Sequence, residues 1–135
     1  MAKEYFPGIK TIQFEGPDSR NPLAFRHYNA DEKVGGKTMR EHFRFGVAYW
    51  HAMKNPLADP FGAGTAIRPW NSGSPLKVVE NTARACFEFM EKIGIDYYCF
   101  HDRDAAPEMG SLKESNEILD KTAAILGQLQ KDTGK

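Results

Sequence analysis

The stretch Tyr97-Tyr98-Cys99-Phe100-His101-Asp102-Arg103-Asp104 decides the fold. Four apolar or aromatic residues of strand character run straight into a histidine, two carboxylates and an arginine. A buried strand that finishes in four ionisable groups points that end at a site. In α/β proteins the carboxyl ends of strands are where ligands bind. Alternation predicts Tyr97, Cys99 and His101 on one face, with Tyr98, Phe100 and Asp102 on the other. A histidine followed three residues later by an aspartate also has the parts of an oriented acid/base pair. Imidazole titrates near neutrality, and a carboxylate on its other nitrogen fixes the tautomer.

Upstream of this strand, Ser74-Pro75 is a helix start, a capping hydroxyl followed by proline at the first helical position. Leu76, Val79, Ala83, Cys86, Phe87, Met90 and Ile93 follow at helical spacing, and Gly94 is placed to end the helix. Downstream, Ala105 to Gly110 reads as a loop. Ser111-Leu112-Lys113-Glu114 is a capping box, and it opens a helix with Ile118, Thr122, Ile125 and Leu129 on one stripe. Leu119 and Leu126 lie beside that stripe, and Gly134 closes the helix.

Further back, Thr38-Met39-Arg40-Glu41 is another capping box and predicts a short helical turn. It passes into Phe43-Arg44-Phe45-Gly46-Val47-Ala48-Tyr49-Trp50, read as a strand. Asn55-Pro56, Asp59-Pro60, Gly62 and Gly64 mark a long loop that continues through Arg68-Pro69-Trp70-Asn71-Ser72-Gly73. Residues 1–36, rich in Gly, Pro, Asn and charge, read as an irregular N-terminal arm. The order is arm, strand, helix, strand, helix, so residues 37–135 make two β-α units. Such units give neighbouring parallel strands joined by a crossover. Two strands leave long edges and an unburied face, so the pattern is that of the opening of a larger α/β domain.

The 135 residues make one domain at most. Lys+Arg and Asp+Glu stand at 18 each, giving zero formal charge. That balance argues against a nucleic-acid or membrane-surface footprint. No apolar run approaches the roughly 20 residues that span a bilayer, and the first residues lack a signal-peptide core. Cys86 and Cys99 form no CxxC pair, which points to reduced thiols and a cytoplasmic location.

Parallel strands place Trp50-His51 beside His101-Asp102-Arg103-Asp104. A flat indole beside a histidine is a common way to hold the C–H face of a sugar. His101, Asp102 and Asp104 also suit a divalent ion. Three ligands within four residues of an extended strand end converge poorly on one ion, so His101 as acid/base with Asp104 as orienter strains the geometry less. Arg103 reads as a charge partner holding the aspartates, or as a solvent-exposed arginine. Asp59-Pro60-Phe61-Gly62 sets a phenylalanine at a loop tip, where an apolar ring seeks a surface of its own protein or of a partner.

These residues together resemble the amino-terminal third of xylose isomerase, in the longer class with an added N-terminal arm. The resemblance runs through Tyr5-Phe6-Pro7, Phe14-Glu15-Gly16, Asn21-Pro22-Leu23-Ala24-Phe25-Arg26 and Gly35-Gly36-Lys37. It continues through Ala48-Tyr49-Trp50-His51, Ala58-Asp59-Pro60-Phe61-Gly62-Ala63-Gly64, Arg68-Pro69-Trp70 and Cys99-Phe100-His101-Asp102-Arg103-Asp104. It implies a TIM (β/α)8 barrel of which this chain holds the first two β-α units. The implied activity is aldose–ketose isomerisation of D-xylose to D-xylulose, and of glucose to fructose, by ring opening and a metal-assisted hydride shift. By position, His101 looks like the histidine that helps open the cyclic sugar, and Asp104 like its orienting carboxylate. Trp50 looks like the indole lining the sugar pocket, and Phe61 like the phenylalanine lent to a neighbouring subunit in a homotetramer. The family uses two divalent ions, commonly Mg²⁺, Mn²⁺ or Co²⁺, acting as Lewis acids. Its ligands come from later barrel strands, so no metal ligand is expected in this chain, which alone is predicted inactive.

Two other readings remain. The chain is a truncated, inactive folding or assembly module, or it is a small hydrolase using His101 and Asp104 around one metal.

Overall fold

The computed structural model describes residues 3–135. A short hairpin pairs β1 (Lys33–Val34) with β2 (Lys37–Thr38) and straddles the boundary at residue 36. Next come the one-turn helix α1 (Met39–His42), strand β3 (Gly46–Ala48) and a single π-helical turn at Trp50–Lys54. Helix α2 (Pro75–Ile93), strand β4 (Tyr97–Cys99), the one-turn helix α3 (Asp102–Ala105) and helix α4 (Leu112–Thr133) complete the order. Among the described residues the architecture is mixed α/β, with two small sheets and no closed barrel.

The helices follow local rules. Ser74 Oγ accepts from the Lys77 amide, Pro75 opens α2, and Gly94 ends it at φ +70°. Ser111 Oγ accepts from the Glu114 amide and Gly134 closes α4. At Thr38 the full capping box forms, with the Glu41 carboxylate reaching back to the Thr38 amide. Each of these bonds satisfies an amide that the first helical turn would otherwise leave unpaired.

β3 and β4 pair in parallel, with Gly46 opposite Tyr97 and Ala48 opposite Cys99. Helices α2 and α4 pack together through Ala83, Phe87, Leu126 and Leu129. Tyr5, Val47, Tyr49, Met53, Trp70, Ala85, Cys86 and Met90 form the larger core cluster. Tyr98 touches both clusters and joins them. Burial in this core pushes the Cys86 thiol up to about 12, while Cys99 lies exposed; both are free.

Three expectations need correction. The strand read over Phe43–Trp50 occupies only Gly46–Ala48, because Phe43 and Phe45 stack on each other half-exposed before it and the chain coils after Tyr49. The strand read through Asp102 ends at Cys99, since α3 starts where a loop was expected only from Ala105. β4 is also not buried, because the two-stranded sheet leaves Tyr97 and Cys99 without a covering layer.

Residues 4–6 are firmly attached to α2. Glu88 on α2 accepts from the Tyr5 amide (2.7 Å) and the Phe6 amide (3.0 Å). Tyr5 Oη donates to Asn81 Oδ1 at 2.8 Å, and Lys92 Nζ pairs with Glu88 and Glu4. The buried Tyr5 ring meets Trp70 edge-on, and Phe6 lies between Trp70 and Phe89. The arm therefore contributes core.

Candidate functional site

The parallel register at Ala48 and Cys99 releases the two chains side by side at one end of the sheet. After β4, His101 occupies the N-cap of α3 in extended conformation and Asp104 the third helical position. Asp104 Oδ2 accepts from the His101 backbone amide and from His101 Nδ1, each at 2.9 Å. The first bond caps the helix. The second is not needed for capping and sets the ring, leaving Nε2 without a hydrogen-bond partner among the described residues. The side chain of Asp104 is 17% exposed and that of His101 66%, so the carboxylate is sheltered and the imidazole is presented to solvent.

After β3, the π-helical turn swings Trp50 toward α3. Its ring lies 4.5 Å from the His101 ring, tilted by 41°. The His51 ring is 5.5 Å from Trp50 on the same turn. Trp50, His101 and Asp104 thus come together, as the parallel-strand argument required, although Trp50 arrives from a coiled turn instead of a strand end. Single π turns inside or beside regular elements recur at functional sites, where they re-aim side chains.

Phe61 stands apart. It is 96% exposed, at the tip of a loop whose mouth is closed by the Ala66 amide donating to the Pro56 carbonyl at 3.0 Å. Asp59 Oδ1 accepts from the Phe61 amide at 2.8 Å, and Asn55 Oδ1 from the Leu57 amide at 2.8 Å, so two side-chain turns shape the loop. A Cβ at Gly64 would sit 2.8 Å from Pro56, which explains the glycine there.

Of the two readings of Arg103, the structure supports the solvent-exposed arginine and not the holder of the aspartates, its side chain being 56% exposed. Its guanidinium reaches Glu108 at 3.9 Å, and only its backbone amide touches Asp102.

Two neighbours went unnoticed in the sequence. Burial lowers the Lys54 ammonium from its ordinary value, opposed by the Asp104 carboxylate nearby. Burial pushes the Tyr49 phenol far up, and Asp104 adds to that shift. Lys54 carries no motif, and Tyr49 stands in the sequence only as part of the Ala48-Tyr49-Trp50-His51 run.

Among the described residues, no group of three or more His, Cys, Asp or Glu side chains gathers in a way that could hold a cation. Asp104 Oδ2 is committed to His101. The arrangement can hold and orient an imidazole next to a flat indole, at an open sheet end.

No protein-family model matches the chain. Curated relatives do. A protein named xylose isomerase from Oceanobacillus iheyensis is 54% identical over 129 residues, covering 96% of this chain. One of the same name from Shouchella clausii is 52% identical over 129 residues, again 96% of the chain. A third, from Geobacillus kaustophilus, is 51% identical over 127 residues, or 94% of the chain. The chain matches the amino-terminal part of xylose isomerases. It spans only 29%, 29% and 28% of the length of these three xylose isomerases. Trp50, Phe61, His101 and Asp104 all lie within a chain that aligns almost end to end.

Proposed function

We propose that this chain forms the amino-terminal portion of an aldose–ketose isomerase that interconverts D-xylose and D-xylulose, and glucose and fructose. The observation that carries the reading is the His101–Asp104 pair beside Trp50, in a sequence more than half identical to a named xylose isomerase. In this reading residues 1–36 are the arm and 37–135 are the first two β-α units of a TIM barrel. The parallel pairing of β3 with β4, with α2 between them in sequence, supports that placement.

The indole of Trp50 packs on the apolar C–H face of the sugar. His101, held through Nδ1 by Asp104, offers Nε2 to the ring oxygen of the cyclic sugar and moves the proton that opens the ring. Phe61, fully presented on its loop, reaches the site of a neighbouring subunit in a homotetramer. The two divalent ions that such an enzyme uses supply Lewis-acid chemistry for isomerisation, and their ligands lie outside this chain. No helix of the described residues is long and apolar enough to cross a membrane; a cytoplasmic location is part of the same proposal.

The test replaces the matching amino-terminal segment of the Geobacillus kaustophilus protein with residues 1–135 and assays xylose-to-xylulose conversion with Mg²⁺. The chimera is expected to be active, and its His101→Asn variant to be slow on cyclic sugar. A folded chimera that never converts xylose would overturn the reading. Residues 1–135 alone with Mg²⁺ or Mn²⁺ are expected to be inert. The inactive-module alternative is favoured by the open sheet edges, and it predicts self-association on sedimentation together with a dead chimera.

A further inference from the structure

The π-helical turn that carries Trp50 ends in carbonyls that have no partner within the turn, as helix ends do. One of them, at Met53, and the carbonyls of Asn55 and Pro56 just beyond the turn are met by one short stretch of chain. Trp70 Nε1 donates to the Met53 carbonyl at 3.1 Å, in a buried position. Arg68 Nη2 donates to the Asn55 carbonyl at 3.3 Å, and the Ala66 amide to the Pro56 carbonyl at 3.0 Å. Residues 66–70 therefore brace three carbonyls within four positions, at the junction where the π turn becomes the Phe61 loop.

Trp70 is itself held from the far side. Its indole is 3% exposed, met edge-on by Tyr5 and flanked by Phe6, whose amides are fixed to Glu88. The Arg68 guanidinium lies over the indole at 5.6 Å. Contacts run from Tyr5 and Phe6 to Trp70 and on to the Met53 carbonyl; Met53 shares the turn Trp50–Lys54 with Trp50, whose ring lies against His101.

We propose that Trp70 is a positioning residue, which holds the π-helical turn so that the Trp50 ring stays against His101, and that the arm acts on the site through it. The functional weight of this role rests on the sugar-pocket reading of Trp50. Its test reads the ring pair itself and needs no sugar, so the two ideas fail separately.

Trp70→Phe keeps an aromatic ring against Tyr5 and Phe6 but removes the donor to Met53. In the 135-residue chain, nuclear Overhauser effects between the Trp50 indole and the His101 imidazole report the pair directly. The expected result is at least a halving of their intensity in Trp70→Phe, with amide protection in α2 and α4 unchanged. If Trp70→Phe does not fold, Phe6→Leu, which loosens the cushion behind the indole at the surface of the core, is expected to weaken the same signals. Wild-type intensity in whichever variant folds overturns the proposal. So does a wild-type chain in which the Trp50–His101 signals are missing.

Discussion

At the residue scale, a single carboxylate oxygen does two jobs at His101, one structural and one chemical. Asp104→Asn can keep one of the two contacts, because an amide oxygen still accepts from the backbone or the ring. Loss of the charge should cost about 1 kcal/mol of stability, comparable to losing a cap, measured by urea unfolding. In the active chimera the same change should slow turnover, because the imidazole loses its fixed tautomer. His101→Asn should cost turnover on cyclic sugar roughly 10²- to 10⁴-fold, the usual range for an acid/base group. Metal affinity, read by calorimetry, should stay unchanged; a lost metal would show that His101 acts in some other way. The residue types and the spacing of three were legible in the sequence. The sharing of one oxygen was not, because it depends on α3 starting at Asp102, which the strand-like run up to Phe100 conceals.

At the element scale, what could be read were the features that local rules enforce. The caps at Thr38, Ser74 and Ser111 and the stops at Gly94 and Gly134 need only a few neighbouring residues to act. Gly94 has open space around a would-be Cβ, so Gly94→Ala isolates the cost of its left-handed backbone. That cost is expected at about 1–2 kcal/mol, seen as a lowered urea midpoint with unchanged slope. The π turn was not legible. Tyr49-Trp50-His51-Ala52-Met53 has the aromatic richness of a strand, and its coiling depends on bonds from Arg68 and Trp70, more than a dozen residues away. Tertiary contacts override propensity most easily in such short pieces.

At the scale of the whole molecule, the arm was the least legible part, because its anchor joins residues more than 80 positions apart. Glu88 carries that anchor. Burial alone would raise its carboxyl, but the Tyr5 and Phe6 amides and Lys92 outweigh burial and hold it below its ordinary value of 4.5. A carboxyl depressed in the folded state contributes fully above its unfolded value and loses that contribution as pH falls through the folded one. Glu88→Gln should therefore destabilise the chain at pH 7 and converge with the wild type in acid, well below pH 4.5. Parallel urea midpoints for the two proteins across that range would show that the anchor is not ionic. The open sheet and the half-exposed Phe43, Phe45 and Tyr97 leave this molecule dependent on further surfaces for much of its burial. The His101–Asp104 pair does not share that dependence. Its partners are three residues apart, so closing it costs almost no loop entropy. The pair is set by one turn of helix and not by the closing of a long loop, so its geometry is fixed locally wherever the surrounding fold holds α3 in place.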